Sequence, residues 1–392
     1  MTDLNQKALD LHKQLKGKIE IRNKMDVDSL EIMSLLYSPG VAQPCVEIQN
    51  NPQSIYETTW KSNTVAVVSN GSAVLGLGDI GASAGLPVME GKAMLFKAFS
   101  NVNAVPIMLD TKDPDEIIRA VEMMAPTFGG INLEDIKAPE CVYIEKQLQK
   151  RLNIPVFHDD QHGTAIVVMA GLINAFKLIG KELKEAKVVV SGTGAAGSSI
   201  IHMLSEAGIS NIYAYNVNGP VDKTKKDSYD FVVQGICECI SDLNEEKTLS
   251  DLLKNADVFI GVSAPDIVSE EDIRSMNHDA VVFAMANPNP EITYEKAKRA
   301  GARIVGTGRS DYPNQVNNVL AFPGIFQGAL SVRATEINEA MKLAAAYGIQ
   351  SVLSEDELND ENIIPSALNP EVSRNVAQAV AQKAIEMGVI LK

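Results

Sequence analysis

No pair of cysteines in this chain has the spacing of a metal clip or a redox motif. The four present, Cys45, Cys141, Cys237 and Cys239, are scattered, and Cys237-Glu238-Cys239 is one residue short of CxxC. They read as free thiols, the state a reducing cytoplasm maintains. Basic charge is scarce too: 35 lysines and arginines face 50 aspartates and glutamates, a formal net charge of −15. That balance excludes nucleic acid and anionic membranes as general partners, but not an anionic substrate, because a metal can reverse the sign inside a cleft. Long apolar runs are missing. The most apolar stretch, Ala165 to Ile179, is interrupted by Asn174 and Lys177 and is shorter than the ~20 residues a bilayer requires. The opening MTDLNQKALDLHKQL is polar and amphipathic, unlike a signal peptide. Neither low-complexity tracts nor internal repeats occur. At 392 residues and 45% hydrophobic, the chain is expected to form two or three domains with substantial cores.

What is present centres on Ile131 to Thr164. Two short apolar runs, ending at Leu133 and Phe157, lead into acid pairs, Glu134-Asp135 and Asp159-Asp160. Between them, Ala138 to Leu152 reads as a helix with Pro139 in its first turn, so the stretch is a βαβ unit. Both acid pairs then lie at the carboxyl ends of parallel strands, the edge where ligands bind in open sheets. Converging carboxylates suit a hard cation such as Mg²⁺ or Mn²⁺. Solvated loop acids or helix caps would give the same local pattern. Asp110 ends an earlier strand, and the recurrence of strand-end acids about every 25 residues fits successive right-handed βα units in one sheet.

Upstream, Tyr37 precedes the stiff turn Ser38-Pro39-Gly40, and Thr64 to Leu75 reads as a hairpin across Asn70-Gly71. A glycine-rich segment follows, and Pro87 is expected to open a helix, VMEGKAMLFKAF, whose apolar residues surround Lys92. Burial there would lower the lysine's pKa and make it a usable base; a snorkelling surface lysine is the alternative.

Downstream, Ala165 to Ile179 reads as a helix between two domains, closed by Gly180. The strand ending at Val190 runs into Gly192-Thr193-Gly194-Ala195-Ala196-Gly197, a GxGxxG that opens a helix inside a βαβ unit. That context marks a dinucleotide site, since the glycines admit a pyrophosphate to the helix N-terminus. Asn216 stands where an acid usually holds the adenosine ribose, which weakens any preference for NAD over NADP. Lys223, Lys225 and Lys226 lie nearby, either to meet a 2′-phosphate or as a solvated charge run. Polar loops at later strand ends carry Asn287 and the pair Asn317-Asn318. The fold expectation is α/β: an N-terminal α/β domain over residues 1–162, then a Rossmann-like doubly wound dinucleotide-binding domain over 163–392 with C-terminal helices.

Taken in order, YSPGVA (37–42), VLGLGDIGASAGLPVMEGK (74–92), NLED (132–135), FHDDQHGTA (157–165), the GxGxxG, ANPNPE (286–291) and TGRSDYPNQVNNVLAFPGIF (307–326) resemble the malic enzymes of the short bacterial type over nearly the whole chain. The resemblance implies a cytoplasmic homodimer that converts (S)-malate and NAD(P)⁺ to pyruvate, CO₂ and NAD(P)H with Mg²⁺ or Mn²⁺. It implies Tyr37 as general acid, Lys92 as general base, Asp159 as the residue tuning Lys92, and Glu134, Asp135 and Asp160 as metal ligands. Residues 192–197, Asn216 and Asn287 would contact the dinucleotide, and Asn287, Asn317 and Asn318 the substrate. Larger relatives carry an arginine where this chain has Ala73. An oxaloacetate decarboxylase using the same metal, lysine and tyrosine is the alternative; a malate-to-lactate enzyme that retains its NADH and a non-catalytic dinucleotide sensor are more distant ones.

Overall fold

The computed structural model describes residues 2–74, 76–243 and 247–391, which form two β-sheets, one parallel and one mostly parallel. The first has the order β2-β1-β3-β4, built from β1 (Thr64–Ser69), β2 (Asn103–Met108), β3 (Gly130–Leu133) and β4 (Val156–His158). Every pairing is parallel, and Leu133 lies opposite His158. The helices Ala82–Ser100, Pro114–Met124 and Glu140–Arg151 make the crossovers, so all four carboxyl ends share one edge.

The second sheet has the order β10-β9-β8-β5-β6-β7. Its strands are β5 (Val188–Ser191), β6 (Ile212–Asn216), β7 (Gly219–Pro220), β8 (Val258–Gly261), β9 (Val281–Ala284) and β10 (Ile304–Thr307). Only β7 is antiparallel. Strands β5, β8, β9 and β10 are buried along their whole length, which is why they read as continuous apolar runs rather than alternating ones. Between β5 and β8 the winding reverses, creating the crevice where doubly wound sheets bind ligands.

The helix Asp159–Ile179 joins the sheets. It is long and apolar enough to cross a membrane by length and composition, but most of it is buried in the core. It starts six residues before the expected Ala165, so both acids of the second pair sit in its first turn, where the helix dipole favours them. Late in the chain, the helix Phe322–Ser331 returns to the first sheet. Phe322 and Phe326 pack on Phe96 at 4.7 and 5.5 Å between ring centroids.

Two local expectations are corrected. Thr64 to Leu75 is no hairpin. Strand β1 is paired on both sides by parallel neighbours, so no free edge remains for an antiparallel partner. Asn70-Gly71 instead starts a compact loop in which Ile80 and Gly81 donate to the Gly71 carbonyl. Val74 bridges to Gly78, and Leu75 lies outside the described residues. Pro87 lies inside its helix, which begins at Ala82 after Gly81 at φ 79°. Both Pro87 and Ser83 are exposed, so the Ser83 carbonyl, which proline cannot serve, faces the solvent side. Lys92 consequently sits in the middle of a 19-residue helix rather than near its start.

Candidate active site

The first sheet delivers four carboxylates to one edge. Glu134 and Asp135 follow β3, and Asp159 and Asp160 follow β4. The Glu134 amide donates to the Val68 carbonyl at 2.9 Å, and the Asp135 amide donates to Asp160 Oδ2 at 2.8 Å. One oxygen each from Glu134, Asp135 and Asp160 lies within 4.8 Å of the others. Burial, followed by repulsion between these acids, pushes Asp135 up to about 8. Burial also raises Glu134 to about 7 and Asp160 to about 6, although Lys92 opposes both shifts. Acids so crowded are poised for a divalent cation, which would relieve the repulsion and take hard oxygen ligands. Orphaned atoms point the same way. Of the five buried side-chain polar atoms without a hydrogen-bond partner among the described residues, four, Asp135 Oδ2, Asp159 Oδ1, Asn132 Oδ1 and His158 Nε2, belong to this cluster or adjoin it; the fifth is Gln53 Oε1.

Lys92 reaches the acids from the Ala82–Ser100 helix. It is buried, with Nζ 2.5 Å from Asp159 Oδ2, 2.9 Å from Glu134 Oε1 and 4.1 Å from the Phe322 ring centroid. Burial pushes its pKa down, but the charges of Asp159, Glu134 and Asp160 outweigh that and hold it above the ordinary lysine value. The expectation of a lysine lowered by burial is therefore corrected: next to three acids, Coulomb attraction wins and Lys92 stays charged. Close packing depends on Gly163, where a Cβ would fall 2.1 Å from Asp159 Oδ1 and 2.7 Å from Asn318 Cβ.

Facing this cluster is the dinucleotide loop. Gly192 has φ 104°, Gly194 caps the helix Ala195–Glu206, and a Cβ at Gly197 would lie 1.9 Å from the Gly192 carbonyl oxygen. The N-terminus of this helix opens at the switch point. Asn216, at the end of β6, faces Thr193 with its Nδ2 3.4 Å from the hydroxyl and accepts from the Asn218 amide. Each nearby lysine is paired with an acid: Lys223 with Asp242, Lys225 with Asp222 and Lys226 with Glu238. Between the two groups lies a cavity of about 430 Å³, lined by Asp135 and Asp160 on one side and Ala195 and Ala196 on the other, with Asn287, Asn317 and Asn318 around it. Asn317 also caps the turn that follows it, accepting from the Val319 amide. Ala73 lines the cavity as well, at the position where larger relatives are expected to have arginine.

One expected residue stays apart. Tyr37 caps the Leu30–Leu36 helix, is 73% exposed and is not among the side chains lining the cavity. Other residues escaped the sequence reading. Asn132 donates to Glu134 Oε2 at 2.8 Å. Glu291, fully buried, accepts from the Ser263 and Ala286 amides and pins the loops after β8 and β9. Glu145 is buried on the apolar face shared by Cys141, Ile144 and Leu148; an acid on such a stripe was the available signal.

The family comparisons agree in both halves. Residues 16–149 match the malic enzyme N-terminal domain and residues 161–385 the malic enzyme NAD binding domain. The chain is 52% identical to the bifunctional malic/malolactic enzyme of Bacillus subtilis, covering 98% of this chain and 94% of that protein. It is 54% identical to the NAD-dependent malic enzyme of Geobacillus stearothermophilus, over 96% of this chain and 78% of the relative. The NADP-dependent malic enzyme of Escherichia coli is 44% identical over 98% of this chain, which spans 53% of that longer protein. Among solved structures, malic enzyme from Pyrococcus horikoshii superposes with a TM-score of 0.95 at 49% identity, covering 99% of this chain and 92% of that one. With both domain models matched in sequence order and about half of all residues shared with such relatives over nearly the full length, the chain belongs to the malic enzyme family.

Proposed function

We propose that this chain catalyses the oxidative decarboxylation of (S)-malate to pyruvate and CO₂ with reduction of NAD⁺, dependent on Mg²⁺ or Mn²⁺. The observation that carries the reading is the placement of buried Lys92 against Asp159 and Glu134, beside three clustered carboxylates and across a cleft from the dinucleotide helix. Residues 1–162 supply the lysine and the acids, and residues 163–392 the dinucleotide site.

Glu134, Asp135 and Asp160 would hold the dication, which when bound supplies a Lewis acid for the C2 oxygen and the enolate. Lys92 Nζ takes the C2 hydroxyl proton as hydride leaves for the nicotinamide. Asp159, 2.5 Å away, receives the proton that Lys92 must first shed. Asn287, Asn317 and Asn318 orient malate and the nicotinamide end, while amides at Gly194, Ala195 and Ala196 receive the pyrophosphate. Lys223, Lys225 and Lys226 stand in exposed pairs with Asp242, Asp222 and Glu238, which compete with a 2′-phosphate for them, in keeping with NAD as the cofactor. Tyr37 protonates C3 of the enolate in the partner's cleft of a homodimer, which accounts for its exposure here. Four free thiols suit a cytoplasmic protein.

The testing experiment follows absorbance at 340 nm with L-malate and Mn²⁺, separately with NAD⁺ and NADP⁺, beside assays for lactate and for oxaloacetate consumption. Malate-dependent NADH formation abolished by EDTA is expected. Oxaloacetate loss without malate oxidation would refute the reading, and lactate without NADH release would move it to a malolactic reaction.

A further inference from the structure

Beside the edge strand β4, outside the lining of the catalytic cleft, a second group of charged residues is buried. Glu145, on the helix Glu140–Arg151, is 3% exposed. Its Oε1 accepts from the backbone amide of His158 at 2.8 Å. Its Oε2 meets Gln161 Nε2 at 3.2 Å and His162 Nε2 at 2.9 Å. His162 Nδ1 lies 2.8 Å from Ser199 Oγ, and the buried Lys342 ammonium lies 3.1 Å from the same nitrogen. These side chains line a separate cavity of about 340 Å³, and none of them borders the catalytic cleft.

The contacts of Glu145 all fall on one turn. His158 ends β4, Asp159 and Asp160 are the first residues of the next helix, and Gln161 and His162 complete its first turn. β4 is only three residues long and lies at the edge of its sheet, so strand pairing alone holds it weakly. In place of a further strand, the Glu145 carboxylate accepts the outward His158 amide. The same turn must hold Asp160 against Asp135 and Asp159 against Lys92, although the acids around it repel one another. A fixed acceptor behind the turn resists that repulsion.

We infer that Glu145, oriented by His162, is a positioning residue for the proposed reaction: it sets the strand-to-helix turn that presents Asp159 to Lys92 and Asp160 to the metal. The inference rests on the reading of Asp160 as a metal ligand. Groups behind metal ligands commonly change affinity by about 10–100-fold when removed.

The test compares Glu145→Ala and Glu145→Gln with the wild-type protein. Mn²⁺ dissociation constants are read from the EPR signal of free Mn²⁺, NADH dissociation constants from fluorescence, and folding from thermal melting. Gln keeps an acceptor for the His158 amide but sets an amide group against Gln161 and His162. Mn²⁺ binding is expected to weaken about tenfold or more in Glu145→Ala and less in Glu145→Gln, with NADH affinity within about threefold of wild type. Unchanged Mn²⁺ affinity in Glu145→Ala overturns the inference. So does a parallel loss of Mn²⁺ and NADH binding with melting temperature in both variants, the mark of a merely structural residue. Asp160→Asn serves as the control. If it binds Mn²⁺ as tightly as wild type, the ligand assignment itself fails, a result separable from failure at Glu145.

Discussion

A lysine buried among acids is the residue on which the proposed chemistry turns, and its environment runs against a simple burial argument. Lys92 is charged because Asp159 and Glu134 are within 2.9 Å of it, so it acts as a base only by passing its proton to a neighbour. Lys92→Ala is expected to lower kcat for malate oxidation by about 10²–10⁴-fold with NADH affinity retained; stopped-flow absorbance and fluorescence titration check both. Wild-type turnover would remove the lysine from the mechanism. Glu145 gives a second residue-scale prediction. Burial pushes its carboxyl up, but His162, Lys342 and His158 pull it down to about 2. Its folded pKa therefore lies below the ~4.3 of an unfolded glutamate, so the stability it contributes is present above that value and is lost as pH falls through the folded pKa. The stability gap between wild type and Glu145→Gln in urea should accordingly shrink by about 2 kcal/mol from pH 7 to pH 3, the remainder being lost as pH falls further through the folded pKa. A gap independent of pH would show that charge contributes nothing there.

Elements carry the next level of argument, and two glycines make it testable. Gly197 brings its helix against the Gly192 carbonyl so closely that a methyl group has no room. Gly197→Ala should push the loop outward and weaken NADH binding at least tenfold, read by titration, while Mn²⁺ binding at the other sheet stays near wild type. Equal loss of both would indicate general unfolding. The glycine pattern was legible because period and context agreed: a buried strand, then GxGxxG, then a helix. The acid pairs were legible for the same reason, since β3 ends where its apolar run ends and β4 one residue beyond. The Asn70-Gly71 turn misled because strand pairing is not local. β1 sits between β2 and β3, and nothing within residues 64–75 records that both of its edges are taken. Pro87 misled because the exposed side of the helix tolerates a missing amide, a matter of tertiary placement. Glu291 was missed because its Ser263 partner lies on another segment, and Glu145 because His158, Gln161 and His162 do; an acid on an apolar helix face was the one local sign of Glu145.

At the scale of the whole molecule, the apolar surface of the N-terminal region sets the strongest constraint. The helices Leu30–Leu36 and Ala42–Asn50 bury no residue, and Leu30, Leu35, Leu36 and Val46 are 78, 64, 52 and 45% exposed. Leu4 and Leu11, on the Thr2–Leu15 helix, are exposed as well. Soluble monomers rarely leave so many large apolar side chains in water, which is the expectation for an interface in the proposed homodimer. Tyr37 directly follows Leu36, and an interface here would bring it beside the partner. Complementation decides whether it acts there. Lys92→Ala and Tyr37→Phe are each expected to be nearly inactive in overall malate turnover. If Tyr37 serves the partner's site, a hybrid dimer of the two variants pairs one intact lysine with one intact tyrosine in one cleft and leaves the other cleft with neither. Random exchange makes about half of the dimers hybrid, so the mixture should recover about a quarter of wild-type activity. If Tyr37 instead serves its own subunit, each cleft of the hybrid lacks one of the two groups and mixing restores nothing. Sedimentation of the mixture confirms that dimers form, and Leu35→Glu with Leu36→Glu should abolish both dimer and rescue, since charges on that face cannot be buried unpaired.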